Sequence, residues 1–234
     1  MDPLKRINEA KTAGLLPSET LDLIEKRFPL VLSGIKRIES ASEINFPIAF
    51  VEPSIIIANN YNTTDIGILF ARTIPVTLKN SVEIVIQISA PLVAYGLKGT
   101  IHSILAHEFL HYLELVTRIS RMEIISDEIS SNLFENVYSD NTRLLEPRSV
   151  FNDITLISHI TKHFPSGFRD YKLEDKVMEN WINKKLPVSK ISLDTNTVKL
   201  DPKLLSRIKF DEVLLQKLEI IHARNSKRRR KKLY

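Results

Sequence analysis

The sequence predicts an α+β fold in which a small mixed β-sheet packs on one long helix and a mostly helical part follows. Three observations predict it. Short β-like stretches alternate with turns between residues 47 and 89. A strongly apolar stretch without Gly or Pro opens near Thr100, which predicts a buried helix with that residue as its N-cap. After Pro147 the apolar residues recur at helical spacing in three segments, 153–163, 174–186 and 202–223.

The elements before the buried helix follow from periodicity. Residues 18–40 carry a helical apolar rhythm that Pro29 interrupts near its middle. Strands are expected at residues 47–51, 54–58, 66–72 and 81–89. The last of them alternates apolar and polar residues, which is typical of a strand with one buried face. Between the C-terminal helical segments, residues 187–196 are expected to be a connection.

Composition limits the class of protein. The 234 residues are 43% hydrophobic and 26% charged, which is ordinary for a globular domain. No apolar run approaches the ~18 residues that a membrane span needs. Because the chain has no cysteine, any metal must be held by histidine and carboxylate. The first residues lack the apolar region of a signal peptide, so a cytoplasmic location is expected.

The net charge of +5 is concentrated at the C-terminus, where residues 227–232 are all basic. Removing these six from the 33 basic residues leaves 27 against 28 acidic ones, so the rest of the chain is nearly neutral. We expect the tail, residues 226–234, to be disordered and solvated. Nucleic acid is an alternative partner for it that the sequence does not favour.

An H-E-x-x-H motif, formed by His107, Glu108 and His111, lies in the middle of the predicted buried helix. Histidines four residues apart lie on one helix face, so both rings can bind a single metal ion. Zinc accepts neutral imidazole nitrogens and keeps a water in the open position of a catalytic site. The Glu108 carboxylate is suited to take a proton from that water. The motif therefore predicts a zinc site, against the alternative of two core histidines bonded to backbone.

A third protein ligand must come from another element. The motif is not followed by the Gly and His spacing of metzincins, which leaves a downstream carboxylate. The stretch from Glu123 to Asp127 resembles the thermolysin-like gluzincin pattern of Glu, three residues and Asp on a second helix, here expected at residues 122–137. The resemblance implies a zincin-like fold and a zinc metallopeptidase, with Glu123 as the third zinc ligand. It also implies that Asp127 hydrogen-bonds His107 and fixes its tautomer.

Alternatives to Glu123 lie close to it in the sequence. Only eleven residues separate His111 from Glu123, so the first helix is expected to end within about a turn of His111 and to reverse near residues 117–120. Ser120 and Glu123 also form an S-x-x-E capping box, in which Glu123 caps its own helix. Glu128 is the other candidate ligand and suits a longer first helix. Both cannot serve, because residues five apart on a helix point about 140° away from each other.

Several further residues are weighed as parts of the site. Tyr138, His159 and His163 are candidates for steadying the oxyanion, although each is expected to be structural. His159 and His163 share the i, i+4 spacing but lack the glutamate between them, so we expect two solvated histidines. His102 lies five residues before His107, on a different helix face, and is expected to be an ordinary polar residue of the first turn.

Together these features predict a zinc-dependent metallopeptidase acting on peptide or protein substrates. Residues 1–145 are expected to form the zincin-like catalytic domain and residues 146–225 a helical C-terminal subdomain. The strand at residues 81–89 precedes the motif helix where zincins place an edge strand for an extended substrate. A DNA-associated protease or zinc-peptidase-like regulator, recruited by the tail, is the alternative. Spartan-type enzymes of that class use a third histidine, whereas none follows His111 until His159. A non-catalytic zincin-like interaction module is disfavoured by the intact Glu108.

Overall fold

The structure, a computed structural model, describes residues 2–59, 66–78, 81–121, 145–165, 168–192 and 208–232. Three helices open the chain, with bounds α1 Lys5–Thr12, α2 Ser18–Arg27 and α3 Pro29–Ser42. Pro29 lies in the first turn of α3, where a missing backbone N–H is tolerated. The helical rhythm predicted for residues 18–40 is therefore confirmed, including its interruption at Pro29.

The described strands form two small sheets. Their bounds are β1 Ala49–Glu52, β2 Ile55–Asn59, β3 Ile66–Leu69, β4 Ala71–Leu78, β5 Ser81–Ser89 and β6 Val188–Ser192. In the first sheet, β5 lies between β1, to which it is parallel, and β4, to which it is antiparallel. In the second, β2 lies between an antiparallel β3 and a parallel β6. Both sheets are mixed and the α+β class is confirmed, but the described strands form two sheets, whereas the sequence predicts one.

Strand β5 has the bounds predicted for it but not the predicted position. It is the central strand of its sheet and is paired along both edges, so the expectation that it is an edge strand for substrate is wrong. The stretch predicted as one strand at residues 66–72 is two strands in different sheets, which meet at Phe70. β6 lies within residues 187–196, where a connection was expected, because its backbone pairs with β2, far away in the sequence.

Helices make up most of the remaining described chain. Their bounds are α4 Ala90–Tyr95, α5 Lys98–Ser120, α6 Pro147–Val150, α7 Ile154–His163, α8 Tyr171–Val177 with a π-helical turn Met178–Ile182, and α9 Glu212–Lys232. The mostly helical C-terminal part is confirmed. Residues 226–232 continue α9, so the expectation of a disordered tail is wrong for them. Within the described ranges, no helix has the length and apolar character to cross a membrane.

Helix α5 is buried along most of its length in the described fold. It packs on β4 and β5 on one side and on α3, α7 and α9 on the others. Sixteen of its 23 residues are buried for this reason, which confirms the expected buried helix. The N-cap is Leu97 rather than the predicted Thr100, which lies inside the helix and donates a hydrogen bond to Asp170 Oδ2 at 2.8 Å.

The far end of α5 also differs from expectation. The helix continues for nine residues beyond His111, so the chain reversal predicted near residues 117–120 is wrong. The reason lies in the residues themselves, because Leu115, Val116 and Ile119 are buried and continue the apolar pattern without a Gly or Pro.

One hydrophobic core contains residues from both predicted parts of the chain, 1–145 and 146–225. It includes Ile7 and Ile38 from the first region and Trp181 and Ile221 from the second. The pairing of β6 with β2 and the packing of α7 on α5 add backbone and side-chain contacts between them. The described residues before and after position 145 thus stabilise each other, and α5 lies where they meet.

Candidate metal centre and active site

The two motif histidines face each other across one turn of α5. Their Nε2 atoms lie 3.0 Å apart and their ring planes are inclined by 85°. Two nitrogens bound to one zinc ion at ~2.0–2.1 Å with a tetrahedral angle stand roughly 3.3–3.4 Å apart. A shift of a few tenths of an ångström therefore brings His107 and His111 to the separation that zinc requires.

Both imidazoles are neutral at ordinary pH. Burial lowers the pKa of His107 well below its usual value, and the neighbouring His111 lowers it further. Burial also lowers the pKa of His111 to about 4. Neutral imidazole is the form that binds a metal ion, so protons do not compete for these nitrogens near pH 7. The donor set fits two of the four positions of a zinc site.

An aromatic wall fixes the orientation of His107. The ring of Phe164, just after α7, stacks on the imidazole with 3.8 Å between centroids and 8° between planes. Phe168 packs against Phe164 at 5.4 Å and edge-on against Phe70 at 5.1 Å. The wall thus joins the segment between α7 and α8 to the β3–β4 junction, and it shields one face of the imidazole.

A small apolar cleft opens beside the motif. It is lined by Ile68, Leu69, Phe70, Ala71, Ile104, His107, Glu108, Phe164 and Phe168. Apart from the two motif residues, every residue of this lining is aliphatic or aromatic. A molecule in the cleft would therefore meet an apolar wall and the polar atoms of His107 and Glu108.

Glu108 is a buried carboxylate, with 4% of its surface exposed. Burial raises its pKa from the ordinary 4.5 to about 7, and hydrogen bonding to Thr73 opposes part of that rise. A carboxyl group with a pKa near neutrality can both accept and release a proton at physiological pH. Such perturbed groups concentrate at functional sites.

No family model matches the chain, and neither a curated protein nor a solved structure matches it. The candidate site is therefore interpreted from its own residues and contacts.

The structure brings three of the predicted site residues together, namely His107, Glu108 and His111. The predicted third ligand Glu123, its alternative Glu128, the predicted histidine partner Asp127 and the oxyanion candidate Tyr138 lie outside the described residues. Within the described ranges, no group of three His, Asp or Glu side chains is placed to hold a metal.

The remaining histidine candidates are not part of the cleft lining. His159 packs against Gly99 at the start of α5, and His163 Nδ1 lies 3.8 Å from Asp170 Oδ2. The prediction of solvated histidines is wrong for His163, whose side chain is 12% exposed. His102 is apart from the motif pair, as expected, but it is buried, and its Nε2 lies 3.2 Å from the Leu30 carbonyl oxygen.

Thr73 is a contact of the site that the sequence did not indicate. Its Oγ1 lies 2.9 Å from Oε2 of Glu108 and 2.9 Å from the backbone oxygen of the same residue. Threonine is a common strand residue, and Thr73 lies 35 positions before Glu108. The pairing depends on how β4 packs on α5, which no local pattern reveals.

Proposed function

We propose that the protein is a zinc-dependent metallopeptidase in which His107, His111 and one carboxylate hold the metal and Glu108 is the general base. The observation that carries this proposal is the combination found on one turn of α5. Two neutral imidazoles have Nε2 atoms 3.0 Å apart, and the residue between them in the motif is a buried carboxylate with a raised pKa. Burying a carboxylate for packing alone is costly, which favours a chemical role.

The residues of the chain divide the chemistry among them. Zinc, when bound, supplies Lewis acidity to the scissile carbonyl and to the attacking water. Glu108 takes a proton from that water and later delivers it to the departing amine. Its pKa of about 7 suits both transfers near neutral pH. Glu108 is 4% exposed and the rest of the cleft lining is apolar apart from His107, so the carboxylate has little contact with bulk water.

An extended substrate is expected to lie along β4. Within the described residues, β4 is an edge of the first sheet, and it packs directly on α5. An edge strand offers unpaired backbone donors and acceptors, with which an extended peptide can form a further strand. This role was expected for β5, which is instead paired on both sides.

The length of α5 favours Glu128 over Glu123 as the third ligand. The rise from the level of the histidine pair to Ser120 is about 16 Å at 1.5 Å per residue. Three residues reach at most about 11 Å, so a chain returning from Ser120 to the metal through Glu123 has no room to turn. Eight residues reach at most about 29 Å, which leaves room for a reversal before Glu128. The predicted contact of Asp127 with His107 depends on Glu123 as the ligand one helical turn earlier, so it does not carry over to a Glu128 ligand.

The proposal is tested by incubating the zinc-loaded full chain with a peptide library and identifying products by mass spectrometry. We expect cleavage that a chelator abolishes and added zinc restores. Glu108→Gln should keep its zinc but lose at least about 100-fold in rate, because an amide cannot accept the water's proton. The same change at Glu25, which forms an ion pair with Lys11 on α1, serves as the matched control and should leave the rate unchanged.

Two outcomes would contradict the peptidase. One is cleavage of equal rate by the wild type and the Glu108→Gln variant, which would place the activity elsewhere. The other is a protein that contains one zinc per chain and hydrolyses no peptide in the library.

A further inference from the structure

The hydroxyl of Thr73 contacts two oxygen atoms of Glu108, the candidate general base. Its Oγ1 lies 2.9 Å from a carboxylate oxygen of Glu108, Oε2, and 2.9 Å from the backbone oxygen of the same residue. Both residues are buried, with 8% and 4% of their surfaces exposed. On β4, Thr73 pairs with Ile86 of β5, which is also buried, and both strands pack on α5. The contact therefore links β4, the strand proposed to bind the substrate, directly to α5.

We propose that Thr73 is a positioning residue that holds the Glu108 carboxylate in one orientation. A threonine hydroxyl has one proton to donate and lone pairs that accept. Donation to Oε2 fixes that oxygen and leaves Oε1 to take the proton of the attacking water. The rest of the cleft lining is apolar apart from His107, so the hydroxyl supplies polar support that those apolar residues cannot. This inference rests on the proposed peptidase function.

The same hydroxyl can serve both states of the general base. While Glu108 is a carboxylate, the hydroxyl donates to Oε2. Once Glu108 has taken the proton from water on Oε1, Oε2 remains an acceptor, so the Thr73 hydroxyl can keep donating to it. Thr73 neither gains nor loses a proton in this cycle, because the proton passes from water to Glu108 and on to the amine. The carboxyl group keeps its place without movement of the backbone, as precise proton transfer requires.

A purely structural role would give the same contact, since a hydroxyl that bridges β4 and α5 also stabilises the fold. The two roles differ in what they change. A structural bridge affects stability alone, whereas a positioning residue affects the rate of the chemical step more than substrate binding. The test must therefore separate kcat from KM and compare Thr73 with a buried threonine outside the cleft.

The experiment uses the zinc-loaded full chain and a peptide that it cleaves. Thr73→Val removes the hydroxyl and nearly preserves shape, while Thr73→Ser keeps the hydroxyl. We expect Thr73→Val to lower kcat roughly 100-fold, as a misplaced catalytic group does, with KM and zinc affinity unchanged. Thr73→Ser should recover most of that loss. Thr100→Val is the matched control, because it removes a buried hydroxyl that bonds Asp170 at 2.8 Å, and kcat should stay at the wild-type value.

A second measurement on the metal-free protein does not depend on activity. Thermal unfolding is compared for Thr73→Val, Glu108→Met and the double variant. If the hydroxyl holds the carboxylate, Thr73→Val lowers the melting temperature less in the Glu108→Met background than in the wild type, because its carboxylate partner is already gone.

Each result decides the matter. A wild-type kcat in Thr73→Val, or an equal loss in Thr100→Val, overturns the positioning role. Additive changes in melting temperature overturn the contact itself. If the zinc-loaded wild type cleaves nothing, the peptidase proposal fails. The unfolding comparison then still shows whether Thr73 holds the Glu108 carboxylate.

Discussion

Two pairs of histidines with identical spacing lie on neighbouring helices, and only one pair forms a candidate metal centre. His107 and His111 on α5 have Nε2 atoms 3.0 Å apart and pKa values that burial lowers well below the ordinary 6.5. His159 and His163 are four residues apart on α7, which packs against α5. There the neighbours differ, because His163 Nδ1 faces a carboxylate oxygen of Asp170 at 3.8 Å.

The difference shows that spacing selects a helix face, and the surroundings decide what that face can do. Between the α5 histidines lies the buried carboxylate of Glu108, whereas Ile160, a core residue, occupies the equivalent position on α7. His107 of the α5 pair also borders a cleft with an aromatic wall. A metal site needs converging neutral donors, a nearby base and space for a ligand, and the α5 pair is the one that borders all three.

The largest expected effect is the loss of zinc affinity when a histidine of the α5 pair, but not of the α7 pair, is replaced. His107→Ala or His111→Ala should weaken zinc binding on the order of a hundredfold or more, because each removes a coordination bond. His159→Ala and His163→Ala are the matched controls and should bind zinc as the wild type does. A competition titration with a chromophoric chelator measures all four. Zinc binding that depends on the α7 pair would reverse the comparison.

The next prediction concerns which carboxylate joins the α5 pair as the third zinc ligand. Glu128→Ala should weaken zinc binding about as much as the loss of a histidine. Glu123→Ala should leave zinc binding nearly unchanged and lower the free energy of unfolding by only the ~1 kcal/mol of a helix cap. Asp127→Ala should also leave zinc binding nearly unchanged, because the predicted contact of Asp127 with His107 depends on Glu123 as the ligand. The same chelator titration ranks the three variants. Loss of zinc from Glu123→Ala with retention in Glu128→Ala would mean that α5 is shorter than the structure has it.

The buried carboxylate should make the metal-free protein less stable at high pH. Because the folded state raises the pKa of Glu108 from 4.5 to about 7, it binds the proton more tightly than the unfolded chain does. The free energy of unfolding therefore falls as the pH rises through this range. Above pH 7, metal-free Glu108→Gln should be more stable than the wild type by on the order of 3 kcal/mol.

Urea unfolding of the two metal-free proteins at several pH values measures this difference. Below the unfolded pKa of 4.5 the pH-dependent part of the difference should vanish, since Glu108 is then protonated in both states. A stability difference that is constant with pH would show that Glu108 titrates normally in the folded protein.

The smallest expected effect concerns the helix that carries the second pair. Asp153 accepts two hydrogen bonds from Arg37, at 2.6 and 3.0 Å, and caps α7 through the N–H of Leu156 at 2.8 Å. Asp153→Ala should lower the free energy of unfolding by about 1–2 kcal/mol and leave zinc binding unchanged. Asp153→Asn, which keeps the cap, should lower it less.

The stability that the Arg37–Asp153 ion pair contributes depends on pH with the opposite sign to that of Glu108. Hydrogen bonding to Arg37 is the main cause that lowers the pKa of Asp153 below its ordinary 3.8. The ion pair therefore contributes its full stabilisation of the folded state above pH 3.8. It is lost as the pH falls through the lower pKa of the folded state. Unfolding measured at neutral and strongly acidic pH checks this, and an Asp153→Ala difference that persists at low pH would contradict it.

Local sequence patterns predicted the parts of the molecule that depend on nearby residues. The alternation in β5 gave its bounds, and the H-E-x-x-H spacing brought His107 and His111 onto one face of α5. The helix expected at residues 153–163 is present and is capped by Asp153. These features follow from strand and helix periodicity and from capping, which act within a few residues.

Parts that depend on contacts between distant segments could not be predicted in this way. β6 is a strand because it pairs with β2, and Thr73 reaches Glu108 because β4 packs on α5. The family resemblance predicts an end of α5 that is too early, whereas the apolar pattern of the residues themselves continues to Ile119. The predicted edge position of β5 was wrong because the alternation of apolar and polar residues identifies a strand but not the strands that pair with it.

Anomalous diffraction at the zinc absorption edge, from crystals grown with one equivalent of zinc, tests the central claim most directly. The account predicts one peak per chain, about 2.0–2.1 Å from Nε2 of both His107 and His111, and none beside His159 and His163. A motif pair without a peak in such crystals, or a peak on the α7 pair instead, would contradict it.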